Sequence, residues 1–430
     1  MKRKLEEQLY IWKNSPNRKP LLIYGARQVG KTYTLQKFAE GHYSNTVYIN
    51  VETNPGVADL FEHDIEPHRI VKLLETYVNA RIIPGETLLI FDEIQLAERV
   101  LTSLKYFCEQ APEYHIAAAG SLLGVAVNRE KHSFPVGKVD TVTLYPMDFE
   151  EYLWACGEEA LAELIRHHYS NVEELPAVFH EKALELYRSY LVVGGMPAVV
   201  SSYLESGSLL AVPDVQRTIM NDYIADMAKY ASTSESVKIR SCYDSIPAQL
   251  AKENKKFQYK VVRKGGTASL FGESIDWLTF AGIVHKCKNI EHGTDPIAVH
   301  EAPANFKLYM GDTGMLVMKS GISQHAVWAE AESSFLGAIA ENYVAQTLAA
   351  NGFDLFYWTS RGTAELDFVT QKDGIITAIE VKKGIHTQSK SFTMFIDRYQ
   401  PDRAFRISGK NFGESPKFLS IPLYAAFCIA

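Results

Sequence analysis

The segment GARQVGKT at positions 25–32 constrains the fold more than any other part of this 430-residue sequence. It has the spacing GxxxxGK(S/T), it follows the apolar run Leu21–Tyr24, and it precedes a stretch with helical periodicity. A strand, a tight glycine loop and a helix N-terminus in this order form a cradle of backbone N–H groups that binds phosphate. The sequence therefore predicts an α/β unit with a phosphate-binding loop after its first strand.

Each residue type in this loop has its own predicted role. Gly25 and Gly30 allow the backbone torsions that turn N–H groups towards phosphate oxygens. Lys31 supplies an ammonium group for the β- and γ-phosphates, and the Thr32 hydroxyl is a ligand for Mg²⁺. The alternative is a glycine-rich turn with an accidental lysine, which the flanking strand and helix disfavour. We therefore predict a nucleoside triphosphate and Mg²⁺ as cofactors.

A second motif supplies the acidic residues that nucleotide hydrolysis needs. Asp92 and Glu93 follow the apolar run of a predicted strand, where an isolated acidic pair would otherwise indicate a solvated loop. With the phosphate loop present, Asp92 is expected to hold the Mg²⁺ shell and Glu93 to act as the base or to orient water. Ser121, after the strand-like run HIAAA, is a candidate sensor of the γ-phosphate, although an ordinary turn explains it equally well.

The hydrophobic patterns along the chain predict four domains. Short apolar runs alternate with helical patterns over 1–150, which is typical of a parallel sheet covered by helices. Helical periodicity over 151–235 predicts a helical lid. The segment 236–320 is expected to form three helices and a hairpin in a winged-helix arrangement. A helix followed by several strands over 321–430 predicts a small α/β domain.

The order of the motifs resembles the AAA-type ATPases whose C-terminal half is the domain of unknown function DUF4143. The segments that carry this resemblance are GARQVGKT, LLIFDEIQ, AAAGSLLG, SFPVGKV, LYPMDFEEYL and GGMP. The resemblance covers nearly the whole chain and implies that the nucleotide is ATP. By analogy with related switch-type ATPases, it makes Pro197 in GGMP a candidate contact to the base. No arginine finger is evident; Arg99 and Arg129 are candidates, and an ordinary surface position is the alternative for each.

The C-terminal part of the chain carries a second set of acidic residues. Asp367 lies on one predicted strand, Glu380 and Lys382 lie on the next, and Glu341 lies on the preceding helix. Residues two apart on a strand share a face, so Glu380 and Lys382 should lie together. Two carboxylates and a lysine can bind Mg²⁺ and polarise water. All four residues are therefore candidate catalytic residues, and Asp367 and Glu380 are candidate metal ligands.

This second set resembles the PD-(D/E)xK nuclease superfamily, with its helix glutamate, strand aspartate and ExK motif. The sequence departs from the pattern at Leu366, where the superfamily often has proline. The resemblance implies a domain that cleaves nucleic acid or only binds it. The alternative is a structural ion pair between strands, which the cost of placing acids in strongly apolar runs disfavours. The predicted fold class is therefore α/β: a P-loop NTPase parallel sheet, a helical lid, a winged-helix linker and a PD-(D/E)xK-like domain.

Charge limits where nucleic acid could bind. The chain has 44 Lys and Arg against 51 Asp and Glu, a net charge of −7, so any such site must be a local basic patch. The segment Lys252–Lys264 provides one, with six basic residues around Phe257 and Tyr259. A solvated helix face explains this segment almost as well.

Cysteine usage and hydropathy bear on location. The five cysteines are scattered without a CxxC pair, which favours a reducing compartment. We see neither a secretory signal nor an apolar run long enough to cross a bilayer, and we expect a cytoplasmic protein without a membrane partner.

Two function hypotheses follow from the sequence. The first is an ATP-driven protein that acts on nucleic acid, with DNA as the expected partner. The second is a nucleotide-controlled switch or scaffold that binds a protein partner or another copy of itself, with a catalytically silent C-terminal domain.

Overall fold

The computed structural model describes residues 1–121, 135–330, 333–360, 364–384 and 389–430. Its contacts divide the chain into an amino-terminal unit, Lys2–Tyr145, and a carboxy-terminal unit, Pro146–Ala430, to which Met1 also belongs. Among the described residues, no helix is both long enough and apolar enough to cross a membrane. The arginine-finger candidate Arg129 lies outside the described residues.

The amino-terminal unit is built on a parallel sheet, as the alternating pattern predicts. Its strands are β1 (Leu21–Tyr24), β2 (Asn45–Asn50), β3 (Thr87–Asp92), β4 (His115–Ala119) and β5 (Asp140–Thr143). Their order is β2-β3-β4-β1-β5, and every neighbouring pair is parallel. Its helices are α1 (Leu5–Asn14), α2 (Lys31–His42), α3 (Gly56–Asp59), α4 (Pro67–Val78) and α5 (Glu98–Gln110), with a short 3₁₀ helix at Ile94–Leu96. Every residue of β3 is buried, as expected for a central strand covered on both faces.

Local sequence explains where the helices beside this sheet begin and which face they bury. The Glu66 side chain accepts hydrogen bonds from two backbone N–H groups at the start of α4, and Pro67 occupies its first turn. Ile70, Val71 and Leu74 then fall on one side of the helix and join the core against β2 and β3. The helix ends at Asn79, which adopts the left-handed conformation typical of a helix C-terminus.

The first part of the carboxy-terminal unit is helical. Its helices are α6 (Phe149–Ala155), α7 (Glu159–Asn171), α8 (Ala177–Val193), α9 (Pro197–Ser206), α10 (Val212–Tyr230), α11 (Thr233–Leu250), α12 (Tyr259–Val262) and α13 (Ala268–Phe280). Further along the chain come α14 (Thr313–Ser320), α15 (Gln324–Trp328), α16 (Phe335–Ala350) and α17 (Lys390–Tyr399), and short 3₁₀ helices at Leu209–Ala211, Ile297–His300 and Leu423–Cys428. Helix α16 is buried over most of its length and carries several buried polar residues.

The same unit contains a mixed sheet of eight strands. These are β6 (Val284–Ile290), β7 (Glu301–Met310), β8 (Phe356–Thr359), β9 (Glu365–Lys372), β10 (Ile375–Val381), β11 (Arg403–Ser408), β12 (Gly413–Ser415) and β13 (Phe418–Pro422). Their order is β12-β13-β11-β10-β9-β8-β6-β7. One face of the sheet is covered by α17, whose Phe392 and Phe395 pack in a cluster with Trp358 and Leu366.

The hairpin of the predicted winged-helix segment, 236–320, is part of this larger sheet. Strands β6 and β7 are antiparallel to each other, and β6 also pairs in parallel with β8. A boundary at 320–321 therefore does not separate two sheets. Local patterns cannot show this pairing, because it joins residues such as Asn289 and Tyr357 that lie 68 positions apart.

Candidate functional sites

The backbone of the phosphate loop has conformations that favour glycine at two positions. Gly25 has a φ of 141°, and a Cβ atom there would lie 2.1 Å from the carbonyl oxygen of Leu144. Gly30 has a φ of 94° and is the last residue before α2. Both torsions lie where side chains are strongly disfavoured. The two glycines therefore give the loop the backbone path that the sequence motif requires.

Lys31 lies inside this loop and is buried. Its Nζ donates hydrogen bonds to the carbonyl oxygens of Gly25, at 2.9 Å, and Ala26, at 2.8 Å. Carbonyl oxygens that hold an ammonium group can give it up to a more negatively charged partner, because a charge-assisted hydrogen bond to phosphate is stronger. The lysine is therefore held at the centre of the loop, where its predicted role needs it.

Arg3 supports the loop from a distant position that sequence reasoning missed. This buried side chain donates from Nη1 to the carbonyl oxygen of Val29 and from Nη2 to that of Tyr145, each at 2.7 Å. In the sequence, Arg3 is one of several basic residues at the start of the chain, and nothing local distinguishes it. Its guanidinium group fixes one side of the loop through a contact between residues 26 positions apart.

The predicted Mg²⁺ ligands contact each other across the end of the sheet. Thr32 Oγ1 donates to Asp92 Oδ2 at 2.7 Å, because α2 starts beside the end of β3. The Tyr48 hydroxyl donates to the same oxygen at 2.8 Å. Burial, supported by the hydrogen bond to Asp92, raises the pKa of Tyr48 to about 12, so it remains a donor at neutral pH. Sequence reasoning missed Tyr48, which reaches Asp92 because β2 pairs with β3.

Glu93 follows Asp92 in a strained conformation. Its φ of 52° is unusual for a residue with a side chain, and such outliers often occur at functional sites. One carboxylate oxygen accepts from Ser121 Oγ at 2.9 Å and the other from Gln95 Nε2 at 2.5 Å. Ser121, the predicted γ-phosphate sensor, is thus placed beside the predicted base. Gln95 was not predicted, although it lies only two positions after Glu93.

The remaining candidates of the ATPase prediction have structural contacts. Arg99 Nε donates to the Phe61 carbonyl oxygen at 2.6 Å. Pro197, the last residue of the GGMP motif, begins α9. Within the carboxy-terminal unit, Gly195 N donates to Asp312 Oδ2 at 2.6 Å. The contact of Pro197 with a nucleotide and a finger role for Arg99 remain predictions.

In the carboxy-terminal unit, Glu341 is buried on α16 and surrounded by donors. Its Oε1 accepts from Lys307 Nζ at 3.1 Å and from the Tyr309 hydroxyl, and its Oε2 accepts from Lys255 Nζ. Burial would raise the pKa of Glu341, but the charges of Lys255 and Lys307 outweigh it and hold the pKa at about 2. Glu341 is therefore ionised and already neutralised by cations of the chain itself.

Lys307 is the residue of this region that sequence reasoning most clearly missed. It lies on β7 with 0% of its side chain exposed, and its Nζ is 2.7 Å from Glu365 Oε1 as well as bonded to Glu341. Burial lowers its pKa, but the nearby carboxylates outweigh this effect and raise the pKa well above the usual value. The sequence did contain a signal for Lys307: a lysine within the apolar run Phe306–Met310 is expected to be buried and therefore to need a buried partner.

Asp367 and Glu380 lie on adjacent antiparallel strands. The register of β9 and β10 pairs Phe368 with Ile379, so one step further Asp367 comes opposite Glu380. Asp367 Oδ2 accepts from the backbone N–H of Val381 at 2.8 Å. Burial, followed by the charges of Glu341 and Glu380, raises the pKa of Asp367 to about 7. The two predicted metal ligands are therefore neighbours whose charges repel.

Glu380 has one satisfied and one unsatisfied oxygen. Its Oε1 lies 2.5 Å from the Nζ of Lys382, which directly follows β10 and does not lie on the strand as predicted. Its Oε2 is buried and has no hydrogen-bond partner among the described residues. Within the same residues, no three His, Cys, Asp or Glu side chains form a group that could hold a metal ion. The predicted pair Asp367 and Glu380 thus has an oxygen available to a cation but no third acidic ligand in place.

Three families match separate parts of the chain. Residues 17–153 match the AAA domain. A domain of unknown function, DUF8612, matches residues 184–326, and another, DUF4143, matches residues 336–424. The AAA and DUF4143 matches confirm the two families that the motifs indicated. The DUF8612 match spans part of the predicted helical lid and the whole of the predicted winged-helix segment, and it ends just beyond that segment.

Several solved structures match about three quarters of the chain at low identity. The Walker-type ATPase of Pyrococcus abyssi is 15% identical with a TM-score of 0.45, and the match covers 74% of this chain and 95% of that protein. The ORC2 protein of Aeropyrum pernix, in ADPNP–ADP complexes, is 14% identical with a TM-score of 0.39, over 80% and 94%. The ORC1 protein of the same organism, in complex with DNA, is 13% identical with a TM-score of 0.28, over 76% and 91%. No curated protein sequence matches this chain.

Proposed function

We propose that the amino-terminal unit binds Mg-ATP. The observation that carries this proposal is the 2.7 Å contact between Thr32 Oγ1 and Asp92 Oδ2, beside a loop that holds Lys31 at its centre. A hydroxyl and a carboxylate at this distance can both join the ligand shell of one Mg²⁺, directly or through water. The loop N–H groups and the Lys31 ammonium would bind the phosphates to which that ion is bound.

We propose further that this unit hydrolyses ATP with Glu93 as the base. Glu93 directly follows Asp92, and its two oxygens are held by Ser121 and Gln95 at 2.9 and 2.5 Å. A carboxylate held in this way has a defined direction, which a group that orients a water needs. The same hydrogen bonds would keep Glu93 in place in the absence of substrate.

The binding experiment compares the unchanged chain, Lys31→Ala and Lys37→Ala by titration of a fluorescent ATP analogue with Mg²⁺. Lys37 lies on the same helix but is partly exposed, with Glu6 3.9 Å away. We expect Lys31→Ala to weaken binding at least about tenfold, the loss of one charge-assisted hydrogen bond, and Lys37→Ala to bind normally. Equal affinity in all three proteins would refute nucleotide binding at this loop.

The hydrolysis experiment compares Glu93→Gln with Glu40→Gln by release of inorganic phosphate. Glu40 is an exposed residue of α2 and serves as the control for a lost charge. We expect Glu93→Gln to slow release by about 10²–10⁴-fold, the usual contribution of a general base, with unchanged ATP affinity. An unchanged rate would exclude Glu93 as the base and leave the binding proposal intact.

We propose as a second function that the carboxy-terminal unit binds a divalent cation at Asp367 and Glu380 and acts on nucleic acid. The buried, unpartnered Glu380 Oε2 favours this over a purely structural ion pair, because a closed pair would leave no oxygen unsatisfied. A bound cation would supply a polarised water and neutralise the charge of a phosphodiester. Lys382, close to Glu380, and the basic segment Lys252–Lys264 would contact the phosphates.

This second function is tested by incubating the full chain with plasmid and Mg²⁺ or Mn²⁺, with and without ATP. Asp367→Ala is compared with Asp373→Ala, which changes an exposed residue in the turn between β9 and β10. Cleavage or low-salt binding that is lost only in Asp367→Ala supports the function. If neither activity occurs, the alternative of a switch with a catalytically silent C-terminal domain is favoured.

A further inference from the structure

The acidic residues of the carboxy-terminal unit form one charge cluster with lysines from other elements. We define the acidic cluster as seven residues: Glu341, Glu365, Asp367 and Glu380, with Lys255, Lys307 and Lys382. With all carboxylates ionised, four negative and three positive charges leave a net charge of −1. The cluster is therefore almost neutral without any bound ion, which is what burial of charged groups requires.

Lys255 and Lys307 both contact Glu341, but they differ in how firmly their side chains are held. Lys307 belongs to β7, is not exposed to solvent and contacts both Glu341 and Glu365. Lys255 lies between α11 and α12, outside any helix or strand, and 21% of its side chain is exposed. The Lys307 side chain cannot move away from Glu341 without disrupting the strand pairing around it. The Lys255 side chain can move away from Glu341 by its own rotation and a shift of the short segment between α11 and α12.

We propose that Lys255 is a resident counter-ion of the acidic cluster, and that a divalent cation binds to the cluster by displacing Lys255 from Glu341. This inference rests on the metal site proposed above and adds how that site is regulated. The displacement turns Glu341 from a partner of Lys255 into a third carboxylate that can approach the cation. It explains why no group of three acidic ligands is assembled among the described residues while Lys255 is in place.

Charge balance supports the exchange of one ion for the other. Without Lys255, the seven-residue cluster has four carboxylates and two ammonium groups, and its net charge of −2 matches one divalent cation; the nearby Arg406, which interacts with Glu380, adds the same positive charge whether or not Lys255 is in place. With Lys255 retained, the same cation would leave a buried net charge of +1. Since unbalanced buried charge is costly, binding of the divalent cation and the contact between Lys255 and Glu341 should exclude each other.

Release of Lys255 would also change the surface of the basic segment. Lys252 and Lys256 lie within three residues of Lys255 on the same connection. The released ammonium group joins these two lysines and becomes available to phosphate oxygens. Cation binding at the cluster and phosphate binding at the segment would then favour each other.

The first test measures Mn²⁺ binding to the full chain at pH 8, without nucleotide, by isothermal titration. Lys255→Met removes the competing ammonium group, while Glu341 retains Lys307 and Tyr309 as partners. Lys256→Met is the matched control, because its side chain has no ion pair among the described residues. We expect Lys255→Met to bind Mn²⁺ about tenfold more tightly and Lys256→Met to bind as the unchanged chain does. Unfolding curves for both variants establish that they fold.

The second test follows the displacement itself by limited digestion with trypsin. Trypsin must take the Lys255 side chain into its own binding pocket, so cleavage after Lys255 requires that the contact with Glu341 is broken. We expect saturating Mn²⁺ to accelerate cleavage after Lys255 several-fold in the unchanged chain but not in Asp367→Ala. Cleavage after Lys410, an exposed residue that is not part of the cluster, provides the internal reference.

The outcomes separate this inference from the proposed metal site. If Asp367→Ala abolishes Mn²⁺ binding but Lys255→Met leaves the affinity unchanged, the metal site stands and the displacement of Lys255 is wrong. If the unchanged chain and Asp367→Ala bind Mn²⁺ equally, the metal site itself is refuted, and the inference with it. Tighter binding by Lys256→Met as well would point to general electrostatics and also overturn the inference.

Discussion

The phosphate loop and the acidic cluster each hold a buried lysine, but the partners of the two lysines differ. In the loop, Lys31 is held by backbone carbonyl oxygens that carry no net charge. In the cluster, Lys307 is held by the carboxylates of Glu341 and Glu365. The loop can therefore exchange its carbonyl partners for a phosphate without leaving a buried charge unpaired. The cluster can accept a new cation only if one of its own leaves.

The two sites also differ in how far apart their residues lie in the sequence. The loop residues from Gly25 to Thr32 are contiguous, and their geometry follows from one strand, one turn and one helix start. The cluster joins α16 to β7, β9 and β10 and to the segment before α12. Changes in the loop should therefore affect ligand binding more than stability. Changes in the cluster should affect the stability of the unit first.

The largest effect is expected for Lys307→Met, which removes the cation shared by the buried Glu341 and the partly exposed Glu365 and leaves Glu341 with Lys255 and Tyr309. Removal of one partner from a buried ion pair costs about 3–5 kcal/mol of unfolding free energy. Unfolding in urea should show this loss. The double variant Lys307→Met with Glu341→Gln should regain part of it, because the buried charge of Glu341 is then absent.

A loss below about 1 kcal/mol for Lys307→Met would place its contacts in the range of surface ion pairs. That result would break the distinction between the loop and the cluster, since Lys307 would then be no more essential to the fold than an exposed lysine.

A smaller effect on stability, with a larger one on ligand binding, is expected for Gly25→Ala. The new Cβ would lie 2.1 Å from the Leu144 carbonyl oxygen, in a conformation that side chains rarely adopt. The strain should cost about 1–3 kcal/mol and displace the backbone that faces the phosphates. Thermal unfolding and titration with the fluorescent ATP analogue measure the two effects.

The control for this prediction is Gly41→Ala in α2, where the new Cβ has no atom within 4 Å. It should be neutral or should stabilise the helix by about 0.5–1 kcal/mol. If both variants bound ATP normally, the close approach at Gly25 would have no bearing on the site.

The same difference between local and long-range contacts determines which residues of the phosphate site could be predicted from the sequence. Gly25, Gly30, Lys31 and Thr32 could be assigned from their spacing, and the position of acids after an apolar strand placed Asp92 beside them. Tyr48 and Arg3 could not be found, because each reaches the site only through a neighbouring strand or across the loop. These contacts depend on pairing between distant segments, which no local periodicity records.

In the acidic cluster, Asp367 and Glu380 lie on adjacent strands as the sequence motif predicts, whereas Lys382 directly follows the end of its strand. The motif could not show that Lys255 and Lys307 already neutralise Glu341, because both lysines lie more than 30 positions away from it. The domain boundary predicted at 320–321 also depends on a contact between segments that are far apart in the sequence. A hairpin with its own local pattern gives no sign that its outer edge pairs with β8.

The last prediction concerns the two carboxylates of the cluster with opposite pKa shifts. The pKa of Asp367 is raised from 3.8 to about 7, so the folded chain retains this proton over a pH range in which the unfolded chain has released it. Between pH 4 and 7 this residue therefore makes stability fall as the pH rises, by at most about 1.4 kcal/mol per pH unit. The pKa of Glu341, lowered from 4.5 to about 2, has its effect only below pH 4.5, where stability falls with falling pH.

The two effects occupy different pH ranges, so Asp367→Asn can isolate the first. Its unfolding free energy, measured in urea from pH 4.5 to 8, should depend less on pH than that of the unchanged chain. Asp373→Asn, in the exposed turn between β9 and β10, should keep the original dependence. If Asp367→Asn retained the full pH dependence, the carboxylate would be ionised throughout this range. The cluster would then carry its fourth negative charge even at pH 5, and Lys382, which contacts Glu380, would have to offset part of the charge of Asp367 as well.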